Sequence, residues 1–266
     1  MASASATISS DAIAKRFATL KAAGKRALIP YITAGHPDAG RTVELVHALT
    51  DAGADVIELG LPFSDPMADG PVIQASSQRA LDQGMNFDRL LELVARARPR
   101  VPLVLFSYLN PVLAAGRDAL NRAAEAGFSG ILITDLPVGA DPERETWVGA
   151  SPLEFIRLVA PTTPPERMRE IASHGKGFVY LISRLGVTGM RDDMAAELPA
   201  TVKQLREASS LPVAVGFGVS GPEQAAAVAR IADGVVVGSA IVRAAGESVD
   251  AAARLTASLR SAIDAA

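Results

Sequence analysis

Eight short apolar runs recur along the chain with helical stretches between them, and this alternation constrains the fold most. The runs expected as strands are residues 27–33, 55–60, 101–108, 130–134, 153–159, 177–182, 211–216 and 234–238. Their residues are apolar at consecutive positions rather than at every second one, the pattern of parallel strands buried on both faces. Helical spacing is expected over residues 11–23 behind Ser10, from a cap at Asp38 to Ala52, and over 70–81 and 86–97. A further helix is expected to run from an Asn110 cap and Pro111 to about Ala126, and another over 164–173 behind Thr163. Helices ending near Ala208 and Arg230 and a closing helix over 248–265 complete the order. Eight strand–helix units behind one leading helix make an α/β chain, a (β/α)8 TIM barrel with an additional N-terminal helix. Pro30, inside the first run, donates no ladder bond and suggests an irregular or bulged strand there. The segment 138–152, with Gly139, Pro142, Gly149 and Pro152, is the least regular, and Trp147 within it has no assigned role.

At 266 residues, 49% of them hydrophobic, the chain can bury the core of one such barrel. The expected division is one barrel domain over residues 1–266, with 1–9 loosely attached. A net charge of −3 argues against a nucleic-acid or anionic-membrane surface. Cysteine is absent, so thiolate chemistry and zinc–thiolate sites are excluded, and His36, His47 and His174 lack metal-ligand spacing. No apolar stretch reaches the ~20 residues of a membrane span, and MASASATISS lacks the charged and apolar regions of a signal peptide. A cytoplasmic protein is expected.

The stretch from Glu58 to Gln74, ELGLPFSDPMADGPVIQ, follows the second apolar run. Gly60, Pro62, Pro66, Gly70 and Pro71 break any regular element, so a strand should end near Glu58 and a specified loop follow. Glu58, Asp65 and Asp69 lie within a dozen positions of one another. In a barrel of this kind, carboxylates at a strand's C-terminal end and on the next loop are where chemistry is found. Asp also suits turns, which leaves Asp65 evenly balanced between the two roles. Two late loops are glycine-rich: Gly216-Phe217-Gly218-Val219-Ser220-Gly221 before Pro222, and Gly238-Ser239-Ala240 at a helix start. Each could be a tight turn alone. Together, after the seventh and eighth strands, they match the recurrent phosphate site of such barrels.

The chain resembles the tryptophan synthase α-subunit family along nearly its whole length. The matching stretches are IPYITAGHPD (29–38), ELGLPFSDPMADGPVIQ (58–74), TDLPV (134–138), YLISRLGVTG (180–189), GFGVSG (216–221) and GSAIV (238–242). The resemblance implies a lyase of L-tryptophan biosynthesis, cleaving indole-3-glycerol phosphate to indole and glyceraldehyde 3-phosphate by retro-aldol chemistry. It implies no cofactor, and pyridoxal phosphate only in a β-subunit partner, with which the chain would form an α2β2 heterotetramer. A stand-alone lyase releasing free indole would use the same residues. By motif, Glu58 and Asp69 are the catalytic carboxylates. Gly189, Phe217, Gly218, Gly238 and Ser239 match phosphate contacts. Leu105, Leu132 and Tyr180 match the indole pocket, although all three would also serve as ordinary barrel core, and Tyr31 matches a position that is often Phe, where its hydroxyl would reach a polar partner or extend the wall. Thr188 and Arg184 fall on a loop the resemblance makes a lid, with Thr188 meeting Asp69 on closure. Partner docking is implied at the loop around Asp65 and at the turn from Asp135 to Pro137.

Overall fold

The eight apolar runs pair in chain order. Strands β1 (Ala27–Thr33), β2 (Ile57–Gly60), β3 (Leu103–Ser107), β4 (Gly130–Ile133), β5 (Glu154–Val159), β6 (Val179–Ile182), β7 (Val213–Gly216) and β8 (Gly234–Val237) close on one another as a parallel barrel. The computed structural model describes residues 11–182, 192–216 and 218–266, without the side chains of 192–197. Around the barrel stand α1 (Ala12–Ala22), α2 (Ala39–Asp51), α3 (Pro71–Asp82), α4 (Phe87–Ala97), α5 (Leu109–Ala114) and α6 (Ala119–Ala126). They are followed by α7 (Pro142–Gly149), α8 (Pro165–Ser173), α9 (Asp192–Ala208), α10 (Pro222–Ala229), α11 (Ser239–Glu247) and α12 (Val249–Asp264).

Strand parity divides the buried residues into two layers. Ile29, Tyr31, Val104, Phe106, Leu132, Ile156, Tyr180, Ala214 and Val236 share the barrel interior. Their strand neighbours Leu28, Ile32, Ile57, Leu59, Leu105, Ile131, Leu181 and Val235 pack in the layer between strands and helices. This alternation is the strand's period of two, and being buried on both sides explains why the runs are apolar throughout.

The N-terminal end of the barrel is closed by α1. Ile13, Phe17 and Leu20 join the interior cluster, with the Phe17 and Phe178 rings 5.4 Å apart. Glu154, buried at the start of β5, accepts the N–H groups of Ile13 at 2.6 Å and Ala14 at 3.1 Å. The first-turn amides of α1 are thus satisfied by the barrel itself, and the helix dipole favours the carboxylate there. Asp55, also buried, accepts from Leu28 N at 2.8 Å, Arg16 at 2.6 Å and Arg260 at 3.0 Å. One carboxylate therefore joins β1 to the first and last helices.

Several local expectations are corrected. β1 passes through Pro30 with its register against β8 unbroken from Ala27 to Pro30. Leu28 directs its N–H toward the β2 side, to Asp55, and backbone alternation puts the missing Pro30 donor on that same side. The β1–β2 register begins one residue later, at Tyr31. The helix expected from Asn110 to about Ala126 is two helices, broken at Gly116, whose φ is +97°. Asn110 does not cap; Asp135, from the loop after β4, accepts the Leu109 N–H at 2.7 Å instead. Thr163 accepts from Ala160 N at 3.2 Å, closing the preceding turn, and the residue before α8 is Pro164. Asp38 caps α2 as expected, accepting from Arg41 N at 3.0 Å. Trp147, on α7, donates through Nε1 to Arg117 O at 3.2 Å and packs against the outer core.

Candidate active site

Glu58 sits mid-strand on β2, where Ile57 and Leu59 face the helices and strand parity turns Glu58 the other way. It is 1% exposed, and its Oε1 has no hydrogen-bond partner among the described residues. Removal from water disfavours the charged form, which pushes its pKa up from 4.5 to about 8. Glu58 is therefore a neutral acid at pH 7.

Asp69 lies on the loop between β2 and α3. A turn bond from its N–H to Pro66 O at 3.0 Å and a Gln74 Nε2 bond to its carbonyl at 2.9 Å hold its backbone. Burial raises its pKa to about 6, and a hydrogen bond from the Tyr108 phenol opposes the rise. At pH 7 Asp69 is mainly a carboxylate.

Tyr31 on β1 and Tyr180 on β6 reach into the interior from different sides of the barrel, 5% and 4% exposed. Burial raises both phenol pKa values, and Asp69 and Glu58, once ionised, raise them further. Both carboxylates thus act on the same two phenols of the barrel interior. The rings need glycine opposite them: a Cβ at Gly60 would overlap the Tyr31 hydroxyl, and one at Gly216 the Tyr180 hydroxyl. Thr33 Oγ1 lies 3.4 Å from the Tyr31 hydroxyl and bonds to it.

Leu132 lies in the interior, as expected of a pocket wall. Leu105 does not: it packs in the outer layer, and its neighbour Phe106 takes the interior place, with its ring 5.1 Å from Tyr31 and edge-on at 76°. The difference is one residue of strand parity. Glu58 is in register with Val104, so Val104 and Phe106 share its side of the sheet.

The strands are parallel, so the loops after β7 and β8 open on the same end of the barrel as the loop after β2. Gly218 has φ +90°, a conformation that side chains strain to adopt. Gly238 precedes Ser239 at the start of α11, and a Cβ on it would meet only Ile73 at 3.7 Å and Tyr31 at 3.8 Å. The N-termini of α10 and α11 open on this face, and neither is capped by a side chain. Gly189, Phe217, Thr188 and Arg184 lie outside the described residues. Among the described residues, no group of three or more His, Asp or Glu side chains is placed to hold a metal ion.

Sequence reasoning missed Phe63, Phe106 and Tyr108. Tyr108 follows β3 by one residue, at the strand end where the fold places functional groups. That position, the rule that pointed to Glu58, was the available signal.

The tryptophan synthase alpha chain family profile matches residues 17–264. A tryptophan synthase alpha chain from Gloeobacter violaceus is 51% identical over 235 residues, covering 87% of this chain and 85% of its own. One from Laribacter hongkongensis is 48% identical over 261 residues, covering 95% and 99%. The chain belongs to the tryptophan synthase alpha chain family. The crystal structure of the tryptophan synthase alpha subunit from Legionella pneumophila superposes with a TM-score of 0.88 at 40% identity, covering 96% of this chain and 99% of that one. Membership makes the chain a lyase of tryptophan biosynthesis with a beta-subunit partner, and the stand-alone reading is not favoured. The alpha subunit itself needs no cofactor, pyridoxal phosphate belonging to the beta subunit. No helix of the described residues is long and apolar enough to cross a membrane.

Proposed function

We propose that the chain, acting as one barrel domain, cleaves indole-3-glycerol phosphate to indole and glyceraldehyde 3-phosphate in a cytoplasmic α2β2 complex. The observation that carries this reading is Glu58 buried inside the barrel, its Oε1 without a partner among the described residues, with Asp69 on the loop that follows the same strand; burial raises the pKa of both, Glu58 further than Asp69. Neutral Glu58 delivers its proton to indole C3, which places positive charge at the ring nitrogen. The Asp69 carboxylate accepts a hydrogen bond from that N–H and stabilises the charge. Glu58, now a carboxylate, takes the proton of the side-chain hydroxyl as the carbon–carbon bond breaks. The bonding pair returns to the ring and restores its aromaticity, the carbonyl of glyceraldehyde 3-phosphate forms, and Glu58 is neutral again. No redox partner or metal enters this proton balance.

Tyr31, Phe106, Leu132 and Tyr180 form the apolar wall for the indole. Gly218, Gly238 and Ser239, with Gly189 and Phe217, receive the phosphate at the helix N-termini. Thr188 would close over Asp69. The beta subunit would dock on the loop after β2, where Met67 is 90% exposed beside Asp65 and flanks a surface groove of about 550 Å³, and on the turn from Asp135 to Pro137. Turnover of indole-3-glycerol phosphate, read as indole release with and without beta subunit, tests the reaction. Glu58→Gln and Asp69→Asn should each lower kcat at least ~10²-fold while glycerol phosphate still binds. Near-normal turnover by either variant would overturn its assignment.

A further inference from the structure

Tyr108 is bound on three sides. Its phenol oxygen accepts the Ala68 N–H at 2.9 Å and lies 3.1 Å from Asp69 Oδ2. A backbone amide can only donate, so the Ala68 N–H leaves the phenol proton free, and the phenol donates it to Asp69 Oδ2, with the Thr134 side chain as a further partner. The Phe63 ring packs against the Tyr108 ring with centroids 5.1 Å apart. The loop it reaches is otherwise open: Ser64, Asp65, Met67 and Ala68 are exposed. The bonds to Pro66 and Gln74 fix the Asp69 backbone, and neither touches its carboxylate. Tyr108 itself is 5% exposed and anchored at the end of β3.

We infer that Tyr108 is a positioning residue for the proposed cleavage: it clamps Asp69 Oδ2 to the rigid end of β3 and leaves Oδ1 for the substrate N–H. The inference rests on the proposed function. The clamp has two consequences. It holds an exposed-loop carboxylate in one orientation, which an entropy argument makes worth more to kcat than to KM. It also favours the ionised form, because the hydrogen bond is made to the charged oxygen. Among the described residues, the other ionisable groups that interact with Asp69 are Tyr31 from β1 and Tyr180 from β6, which Glu58 on β2 also influences. Among the described residues, none of them supplies a positive charge to replace the Tyr108 bond.

The test is Tyr108→Phe, which keeps the ring and its packing on Phe63, assayed in the complex with the beta subunit. With indole-3-glycerol phosphate between about pH 5 and 9, kcat should fall about tenfold with KM within about twofold. Losing the bond raises the Asp69 pKa, so the acidic limb of the kcat profile should move to higher pH. Replacing Tyr108 by 3-fluorotyrosine strengthens the donor and should move the limb the opposite way. In the Asp69→Asn background, Tyr108→Phe should add little further loss. A kcat profile that superimposes on wild type, a fluorotyrosine limb that does not move, or an undiminished loss in the Asp69→Asn background would each overturn the clamp. A wild-type complex that fails to cleave the substrate, or an Asp69→Asn complex that cleaves it normally, would instead remove the proposed function.

Discussion

Replacing Glu58 should make the protein more stable at neutral and alkaline pH while abolishing most of its activity. In the folded state the Glu58 pKa lies at about 8 because burial disfavours its charge; unfolded, it returns to 4.5. Below the unfolded value the group is neutral in both states and costs nothing. As pH rises from there, the unfolded chain ionises first and folding must bind a proton. Stability is therefore lost progressively until the pH passes the folded value. At about 1.4 kcal/mol per pH unit, the loss reaches roughly 3 kcal/mol at pH 7 and roughly 5 kcal/mol above pH 8. Glu58→Gln has nearly the same shape and no charge at any of these values. The stability gap between variant and wild type should widen in favour of the variant by those amounts between about pH 5 and 8, then level off. Urea unfolding of both proteins at each pH measures the gap, and other carboxylates cancel in the comparison. A gap independent of pH would mean that Glu58 ionises as it does in water, and the neutral-acid role would fall with it.

The opposite end of the barrel should answer differently. Asp55→Ala leaves the guanidinium of Arg260 and the N–H of Leu28 without their shared acceptor, and should cost about 3 kcal/mol in urea unfolding, the low end for a broken buried pair because Arg16 is partly exposed. A cost under about 1 kcal/mol would show that the cluster is dispensable. Gly238→Asp has room for its Cβ and places a carboxylate at the start of α11; glycerol phosphate binding by calorimetry should weaken at least tenfold, about 1.4 kcal/mol, with the unfolding midpoint little changed. Unchanged affinity would place the anion elsewhere.

The barrel was legible because consecutive apolar residues and the helical spacing between them come from burial on two faces, a property local to each run. Helix breaks and caps were less legible. Asn110 has the residue type and the following proline of a cap, yet Asp135, distant in sequence, supplies the acceptor, and only the adjacency of β3 and β4 brings it there. Strand parity failed at Leu105 for a related reason. Every residue of that run is apolar, so composition does not mark which ones face inward; the register with Glu58 does. Glu58 stood out in the sequence because Glu has no special turn role and this one lies on an apolar strand. Tyr108 did not, because an aromatic residue at a strand end looks like core until its hydroxyl is seen on a neighbouring loop.

The buried carboxylates of this barrel are treated in two ways, and the difference follows the direction of the strands. At the N-terminal ends, Asp55 and Glu154 are surrounded by donors: amides of β1 and α1 and two guanidinium groups. Such groups hold the closing helices to the barrel, and their desolvation is offset by the bonds they accept. Toward the C-terminal ends, Glu58 is equally buried and has an oxygen with no partner among the described residues. A fold selected only for stability would fill or neutralise that position. Asp69 stands between the two cases, since among the described residues one side-chain donor, Tyr108, opposes the rise in pKa that burial causes. Burial with no compensating donor among the described residues favours the proton on Glu58, and the phenol of Tyr108 favours the ionised form of Asp69. The proposed cleavage, which moves a proton on one side of an indole while holding charge on the other, uses that asymmetry, and a donor at Glu58 would remove it.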